Sequence, residues 1–359
     1  MKIQAVIGAN YGDEGKGLVS GCLAREANRK SERTLTVFYN GTMQRAHTFE
    51  GEIHRAMAAG TKYGSDTFYN SAFVIDPISL WILQAKPIID PRCRVILPCD
   101  VIRNRKTETE RGNARHGSCG FGLFEAVKRS KNPAFCVMTR DLMDPYSLYG
   151  KLKEIGKAYP TEYDDLYNLD NFMKAVAYLT GQCRIEKIEE IAGEYDTIIY
   201  EGGQGLMLDQ SNKDCFPHLT PSNTGCRNIA DDVHALNPDR VELYYVSRSY
   251  LTRHGAGPMD GECGKEEINP GIIDRTNGEN EWQGSLRFGK LDLDQMARSI
   301  TRDALYLHNR FTTVNMVYTQ LNYTGGKLAT IQGEELVHTK FRADHIFVSD
   351  QKDQMERIR

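Results

Sequence analysis

The residues best suited to chemistry lie in Gly8-Ala9-Asn10-Tyr11-Gly12-Asp13-Glu14-Gly15-Lys16-Gly17. The segment follows an apolar run, Ile3 to Ile7, and precedes Leu18 to Asn28, where apolar residues recur at helical spacing. A glycine-rich turn that enters a helix offers backbone N–H groups and the positive end of the helix dipole, so it favours an anion. Lys16 adds a point charge suited to a phosphate. The segment is not a Walker A loop: Asn10 stands where that motif has its first glycine, and Gly17 where it has the magnesium-binding Ser or Thr. It is not GxGxxG either. Two acids, Asp13 and Glu14, repel a phosphate, and they make sense where one binds a metal ion or acts as a base. A tight turn capped by Asp13 is the plain alternative, and the density of special residues argues against it.

Three further segments carry chemistry-bearing residues. Asn40-Gly41-Thr42-Met43-Gln44-Arg45-Ala46-His47-Thr48 follows a strand-like run, which places His47 in a loop at a strand's carboxyl end. Glu201-Gly202-Gly203-Gln204-Gly205-Leu206-Met207-Leu208-Asp209 leads to Pro217-His218-Leu219-Thr220-Pro221-Ser222-Asn223-Thr224. The last is Tyr250-Leu251-Thr252-Arg253-His254-Gly255-Ala256-Gly257-Pro258. Glycine packing and turn chemistry explain any one of these alone.

The elements that must position them alternate. Ile3 to Ile7, Thr34 to Tyr39, Arg94 to Leu97, Asp196 to Tyr200, Val241 to Val246 and Thr313 to Tyr318 read as strands, and Leu18 to Asn28, Tyr163 to Leu179 and Leu293 to Phe311 as helices. Such alternation predicts an α/β fold with a largely parallel sheet covered by helices, its ligands beyond the carboxyl ends of the strands. No Pro-, Ser- or Gly-rich linker divides the chain, so residues 1–359 are expected to form one domain.

Composition narrows the function classes. The 359 residues carry 45 Lys+Arg against 48 Asp+Glu, a formal charge of -3, with 40% hydrophobic residues. That excludes a disordered chain and argues against direct nucleic-acid binding, because no basic excess exists to neutralise phosphates. No apolar run is long enough to span a membrane, and the start of the chain does not read as a signal peptide. The nine cysteines include no CxxC pair, which suits free thiols in a reducing cytoplasm and offers no zinc site.

In order along the chain, Gly12 to Gly17, His47-Thr48, Glu201 to Gly205, Ser222 to Thr224 and Thr252 to Pro258 resemble the adenylosuccinate synthetases. That family carries a G-D-E-G-K-G loop, a G-H-T segment, an E-G-x-Q-G segment leading to S-N-T, and a T-R-x-G-x-G-P segment. The resemblance implies one large α/β domain related to the P-loop NTPases, usually a homodimer, and a two-step carbon–nitrogen ligation. A nucleoside triphosphate phosphorylates the 6-oxo group of a purine monophosphate, and the amino group of L-aspartate then displaces the phosphate.

On that resemblance Asp13 takes the N1 proton and binds Mg²⁺, with Ala46 as a second metal position. His47 stabilises charge on the leaving phosphate bridge, and Lys16 holds the transferred phosphoryl group. Asn10, Gly12, Glu14, Gly15, Gly17, Thr48, Gln320 and Asn322 fall at donor-nucleotide positions. Ser118, Cys119, Gln204, Thr220 and His254 fall at monophosphate positions, together with a basic residue from a partner subunit, Lys128 or Arg129. Thr252, Arg253, Ser285 and Arg287 fall at the aspartate site.

Departures from the family pattern are informative. The aspartate-binding T-G-R-x-R-R-x-G appears as Gln283-Gly284-Ser285-Leu286-Arg287-Phe288-Gly289, and N-A-G-H-T as Gln44-Arg45-Ala46-His47-Thr48. The family's K-L-D, whose carboxylate accepts hydrogen bonds from guanine N1 and N2, is Gln320-Leu321-Asn322 here. A carboxylate only accepts, whereas an Asn amide both donates and accepts, which suits an adenine edge. The expected donor is therefore ATP or dATP. One branch of the family shows that switch: the phage enzymes that join dGMP to aspartate, giving N6-succino-2-amino-2′-deoxyadenylate for 2-aminoadenine DNA. The chain resembles that branch in its short length and its lost Asp. A conventional synthetase using IMP and GTP is the second reading, and a non-catalytic nucleotide switch the third.

Overall fold

The computed structural model describes residues 1–274, 282–307, 312–350 and 353–359. Lys2–Gly8 is buried from Ile3 onward and forms the centre of a sheet of ten strands among the described residues. From one edge the order is Glu356–Arg357, His345–Ser349, Thr312–Thr319, Arg240–Arg248, Lys2–Gly8, Thr197–Gly205, Thr34–Phe38, Asp66–Tyr69, Ile88–Ile89 and Arg184–Ile185. Every neighbouring pair is parallel except the first, where Glu356–Arg357 runs antiparallel to His345–Ser349. Strands covered on both faces read as unbroken apolar runs, which is why Ile3 to Ile7 and Val241 to Val246 were legible.

Helix Lys16–Arg29 packs on the sheet through Val19, Leu23, Ala24 and Ala27, all buried. Its N-terminus has no side-chain cap, so its first N–H groups remain open to a ligand. A second core lies away from the sheet centre, where Phe73, Val95, Leu148, Phe172 and Leu179 are buried in one cluster that includes helices Pro145–Ala158 and Leu169–Gln182. No helix among the described residues is long and apolar enough to cross a membrane.

The expected elements stand with four revisions. Arg94 to Leu97 is not a strand of the main sheet: only Arg94–Val95 pairs, with Val74–Ile75, before Pro98 opens a helix. The helix expected from Tyr163 starts at Leu169 and runs to Gln182. Asp164 ties the preceding turn, accepting from Leu166 N at 2.9 Å, and Asn168 caps the helix through Asn171 N at 2.9 Å. The helix from Leu293 ends at Ala304; of the rest of its expected span, 305–307 leave the helix in a turn and 308–311 lie outside the described residues. The strand expected to stop at Tyr200 continues to Gly205, where Gly205 pairs with Gly8.

Candidate active site

The carboxyl ends of Lys2–Gly8, Thr197–Gly205 and Arg240–Arg248 meet at a cavity of about 880 Å³. Of the expected residues, Gly12 to Gly17, Ala46 to Thr48, Gln204, His254, Gln320 and Asn322 line it. The loop is tied by its own acid. Glu14 Oε1 accepts from the N–H groups of Asn10 at 3.1 Å and Gly12 at 2.9 Å, and Oε2 takes Lys16 Nζ at 2.5 Å. Burial opposes ionisation of Glu14, yet the Lys16 ammonium and the loop amides outweigh it and lower its pKa. Asn10 is buried and donates to Ser247 Oγ at 2.8 Å, so it braces the loop from behind. Close packing demands glycine at Gly205, where a Cβ would sit 2.1 Å from Asn10 O.

Asp13 has φ 59, a left-handed conformation that an L-residue adopts only when its surroundings enforce it. Arg248 enforces it, donating through Nε to Asp13 O at 2.5 Å while its Nη2 reaches Asp274 at 2.8 Å. The Asp13 carboxylate stays 31% exposed, with His254 Nε2 at 3.5 Å.

His47 opens the strand His47–Phe49, and its Nδ1 lies 2.7 Å from Glu201 Oε1 and 2.9 Å from Arg45 Nη2. Arg45 also donates to the same Glu201 oxygen, and Ser20 Oγ donates to the other at 2.5 Å. Burial pushes His47 down to about 4, helped by the Arg45 charge, while Glu201 pulls the other way. Burial opposes ionisation of Glu201, but Arg45, His47 and Ser20 hold its carboxyl at about 2. A neutral imidazole beside an ionised Glu201 follows. The contacts with Glu201 and Arg45 select opposite tautomers; the one Arg45 favours leaves an Nε2–H donor.

Several expected binding residues sit elsewhere. Arg129 is 1% exposed, and its donors are taken by Asp100 at 2.8 Å, Val95 O at 2.7 Å and Phe135 O at 2.5 Å. That buried pair corrects the expected monophosphate contact and leaves exposed Lys128 as the alternative. Ser118 donates to Asn104 Oδ1 at 2.8 Å, and burial pushes the neighbouring Cys119 thiol up to about 11. Gly117, just before them, packs against Gly255 and Ala256, and neither Ser118 nor Cys119 lines the cavity. Among the described residues, buried Thr220 has no partner for its hydroxyl and Gln204 none for its Oε1.

The expected aspartate clamp is also closed. Arg253 is 1% exposed and donates to the carbonyls of Ala256 at 2.9 Å, Pro258 at 2.5 Å and His218 at 3.1 Å. Arg287 holds Glu262 at 2.7 Å and the Gly255 and Gly257 carbonyls at 3.0 Å and 2.9 Å. Thr252 is buried in a strand paired with Arg287–Gly289, and Ser285 is exposed away from the cavity. None of the four lines the cavity, and loop carbonyls with Glu262 take most donors of the two arginines, Arg253 Nε excepted.

Residues 5–306 match the family described as adenylosuccinate synthetase. The chain belongs to the adenylosuccinate synthetase family. Adenylosuccinate synthetase of Neisseria meningitidis (serogroup A, strain Z2491) is 26% identical over 327 residues, which span 82% of this chain and 73% of that protein. A fully ligated adenylosuccinate synthetase structure from Plasmodium falciparum superposes with a TM-score of 0.73 at 18% identity, covering 99% of this chain and 86% of that one. The succinoaminodeoxyadenylate synthetase of cyanophage S-2L, bound to dGMP and dATP, superposes with a TM-score of 0.62 at 15% identity, covering 99% and 95%. Both likenesses establish the α/β fold.

As a member of this ligase family, the chain presents an open carboxylate, a neutral imidazole and a row of helix N–H groups around one cavity. Among the described residues no group of three or more His, Cys, Asp or Glu assembles a metal cage. The open Asp13 carboxylate still fits Mg²⁺, which takes one or two carboxylates with substrate phosphates and water; Ala46 can contribute only its carbonyl. Sequence reasoning missed Arg45, Arg55, Arg248 and Asp274, all of which line the cavity. Arg45 was visible beside His47, but its partner Glu201 lies 156 residues away.

Proposed function

We propose that the chain is an ATP- or dATP-dependent ligase that joins L-aspartate to dGMP, giving N6-succino-2-amino-2′-deoxyadenylate. One observation carries the donor assignment: Gln320 and Asn322, not a carboxylate, line the cavity beyond strand Thr312–Thr319. An amide pairs with the mixed donor–acceptor edge of adenine, where a carboxylate pairs with guanine. Likeness to a cyanophage enzyme bound to dGMP and dATP supports the same reading. The second reading, IMP with GTP, is favoured by the names of relatives such as the Neisseria enzyme.

The residues suit the chemistry. Asp13 takes the proton from purine N1, and the electron pair makes O6 nucleophilic. O6 attacks the γ-phosphorus of the donor, the bond to the bridging oxygen breaks, and the nucleoside diphosphate leaves. The aspartate amino group then adds at C6, loses a proton and expels inorganic phosphate. In the tautomer that Arg45 selects, His47 donates through Nε2–H to the oxygen that gathers charge, and Lys16 with the open helix N–H groups holds the phosphoryl group. Asp13 and the Ala46 carbonyl would hold Mg²⁺, which supplies charge neutralisation at the phosphates when bound. A homodimer would let Lys128 approach a neighbouring monophosphate.

The test offers dGMP and IMP separately with aspartate, Mg²⁺ and either ATP or GTP. Turnover of dGMP with ATP is expected. Turnover of IMP with GTP alone would overturn the assignment in favour of the second reading.

A further inference from the structure

We propose that Arg55 is a substrate-binding cation, receiving an anionic oxygen from the donor triphosphate or from L-aspartate; this deepens, and rests on, the ligase reading above. The inference comes from charge accounting in the cavity. Its lysine and arginine lining residues, among the described residues, are Lys16, Arg45, Arg55 and Arg248. Three of these already face a carboxylate: Lys16 lies 2.5 Å from Glu14, Arg248 lies 2.8 Å from Asp274, and Arg45 is paired with Glu201. Arg55 has no ion pair or hydrogen bond among the described residues. The two arginines expected to clamp aspartate, Arg253 and Arg287, are spent on loop carbonyls and Glu262.

Arg55 also stands on a fixed base. It follows strand Glu52–His54, whose His54 pairs with His47 across an antiparallel ladder. The next residue, Ala56, is buried, and its carbonyl accepts from Tyr69 OH at 2.5 Å. The backbone beside His47 is therefore anchored, while the guanidinium is exposed at the cavity. A planar guanidinium with free donors matches a phosphate or carboxylate in two-point geometry. A triphosphate, a monophosphate and L-aspartate enter a cavity where Lys16, Arg45 and Arg248 each face a carboxylate, so Arg55 is the lining cation with no carboxylate against it, in addition to the Lys16 and helix N–H groups at the phosphoryl position.

Steady-state kinetics of Arg55→Gln and Arg55→Lys, together with calorimetric binding of a non-hydrolysable ATP analogue, test the proposal. Arg55→Gln should raise one KM about tenfold, the scale of a lost charged hydrogen bond, with a smaller change in kcat. Arg55→Lys should recover part of it. A raised KM for ATP with weaker analogue binding places a phosphate oxygen on Arg55. A raised KM for aspartate with unchanged analogue binding places a carboxylate there. Both KM values unchanged in Arg55→Gln would overturn the proposal. If the wild-type chain turns over neither dGMP nor IMP, the ligase reading itself fails, and unchanged analogue binding in that case overturns Arg55 as well.

Discussion

One oxygen of Glu201 accepts from Arg45 and lies against His47 Nδ1, so the imidazole is set from behind by a buried ion pair. Arg45 is fully enclosed, with its guanidinium 3.3 Å from the Phe38 ring centroid. Removing the carboxylate charge leaves that cation unpaired in the interior, which costs about 3–5 kcal/mol. Glu201→Gln should therefore lower the urea midpoint of unfolding strongly, well beyond a surface substitution. A midpoint equal to the wild type's would show that Arg45 finds another partner. The sequence displayed Asp13, Lys16 and His47 because reactive residue types stood together in glycine-rich turns. It did not display which arginines were free. Arg129, Arg253 and Arg287 look like ligand-binding cations in a linear string, but tertiary contacts with Asp100, Glu262 and loop carbonyls take most of their donors. Arg55, beside no motif, keeps its own.

Among the elements, the strand–loop–helix unit at the amino end was readable because each part agreed with the next. Ile3 to Ile7 is an apolar strand, the glycines allow the sharp turn, and Leu18 to Asn28 has helical periodicity. The outer strands Ile88–Ile89 and Arg184–Ile185 have two residues each, too few to show any period. Arg94 to Leu97 misled for the opposite reason: its apolar run is the approach to a helix opened by Pro98. The unit depends on close contact between strand ends. An alanine at Gly205 would place its Cβ 2.1 Å from Asn10 O and 2.6 Å from Glu14 Oε1, so the loop must move. Overpacking of this kind costs about 1–3 kcal/mol. Gly205→Ala should lose that stability and also weaken binding of the triphosphate analogue, because the loop amides shift with Asn10. Lost stability with unchanged analogue binding would separate the packing role from the binding role.

Across the whole molecule, the net charge of -3 conceals buried acids that titrate unusually. Asp303 packs under the sheet, accepting from Cys226 N at 2.9 Å and Tyr245 OH at 2.9 Å. Burial raises its carboxyl to about 6, against the hydrogen bonds that favour the ionised form. An acid whose pKa is higher folded than unfolded binds its proton in the native state first. Between the unfolded value near 4 and the folded value near 6, the native chain holds a proton that the unfolded chain has lost. The contribution of Asp303 to stability is thus greatest below about pH 4 and falls as the pH rises through 6, by on the order of 3 kcal/mol in all. Glu201, held at about 2, has the opposite sign: its contribution is present above pH ~4 and is lost as the pH drops toward 2. Asp303→Asn removes the first titration and keeps the shape. The stability difference between wild type and Asp303→Asn, measured by urea unfolding from about pH 4 to pH 7, should shift toward the variant as the pH rises. A difference independent of pH would mean that Asp303 ionises in the folded chain as freely as in the unfolded one.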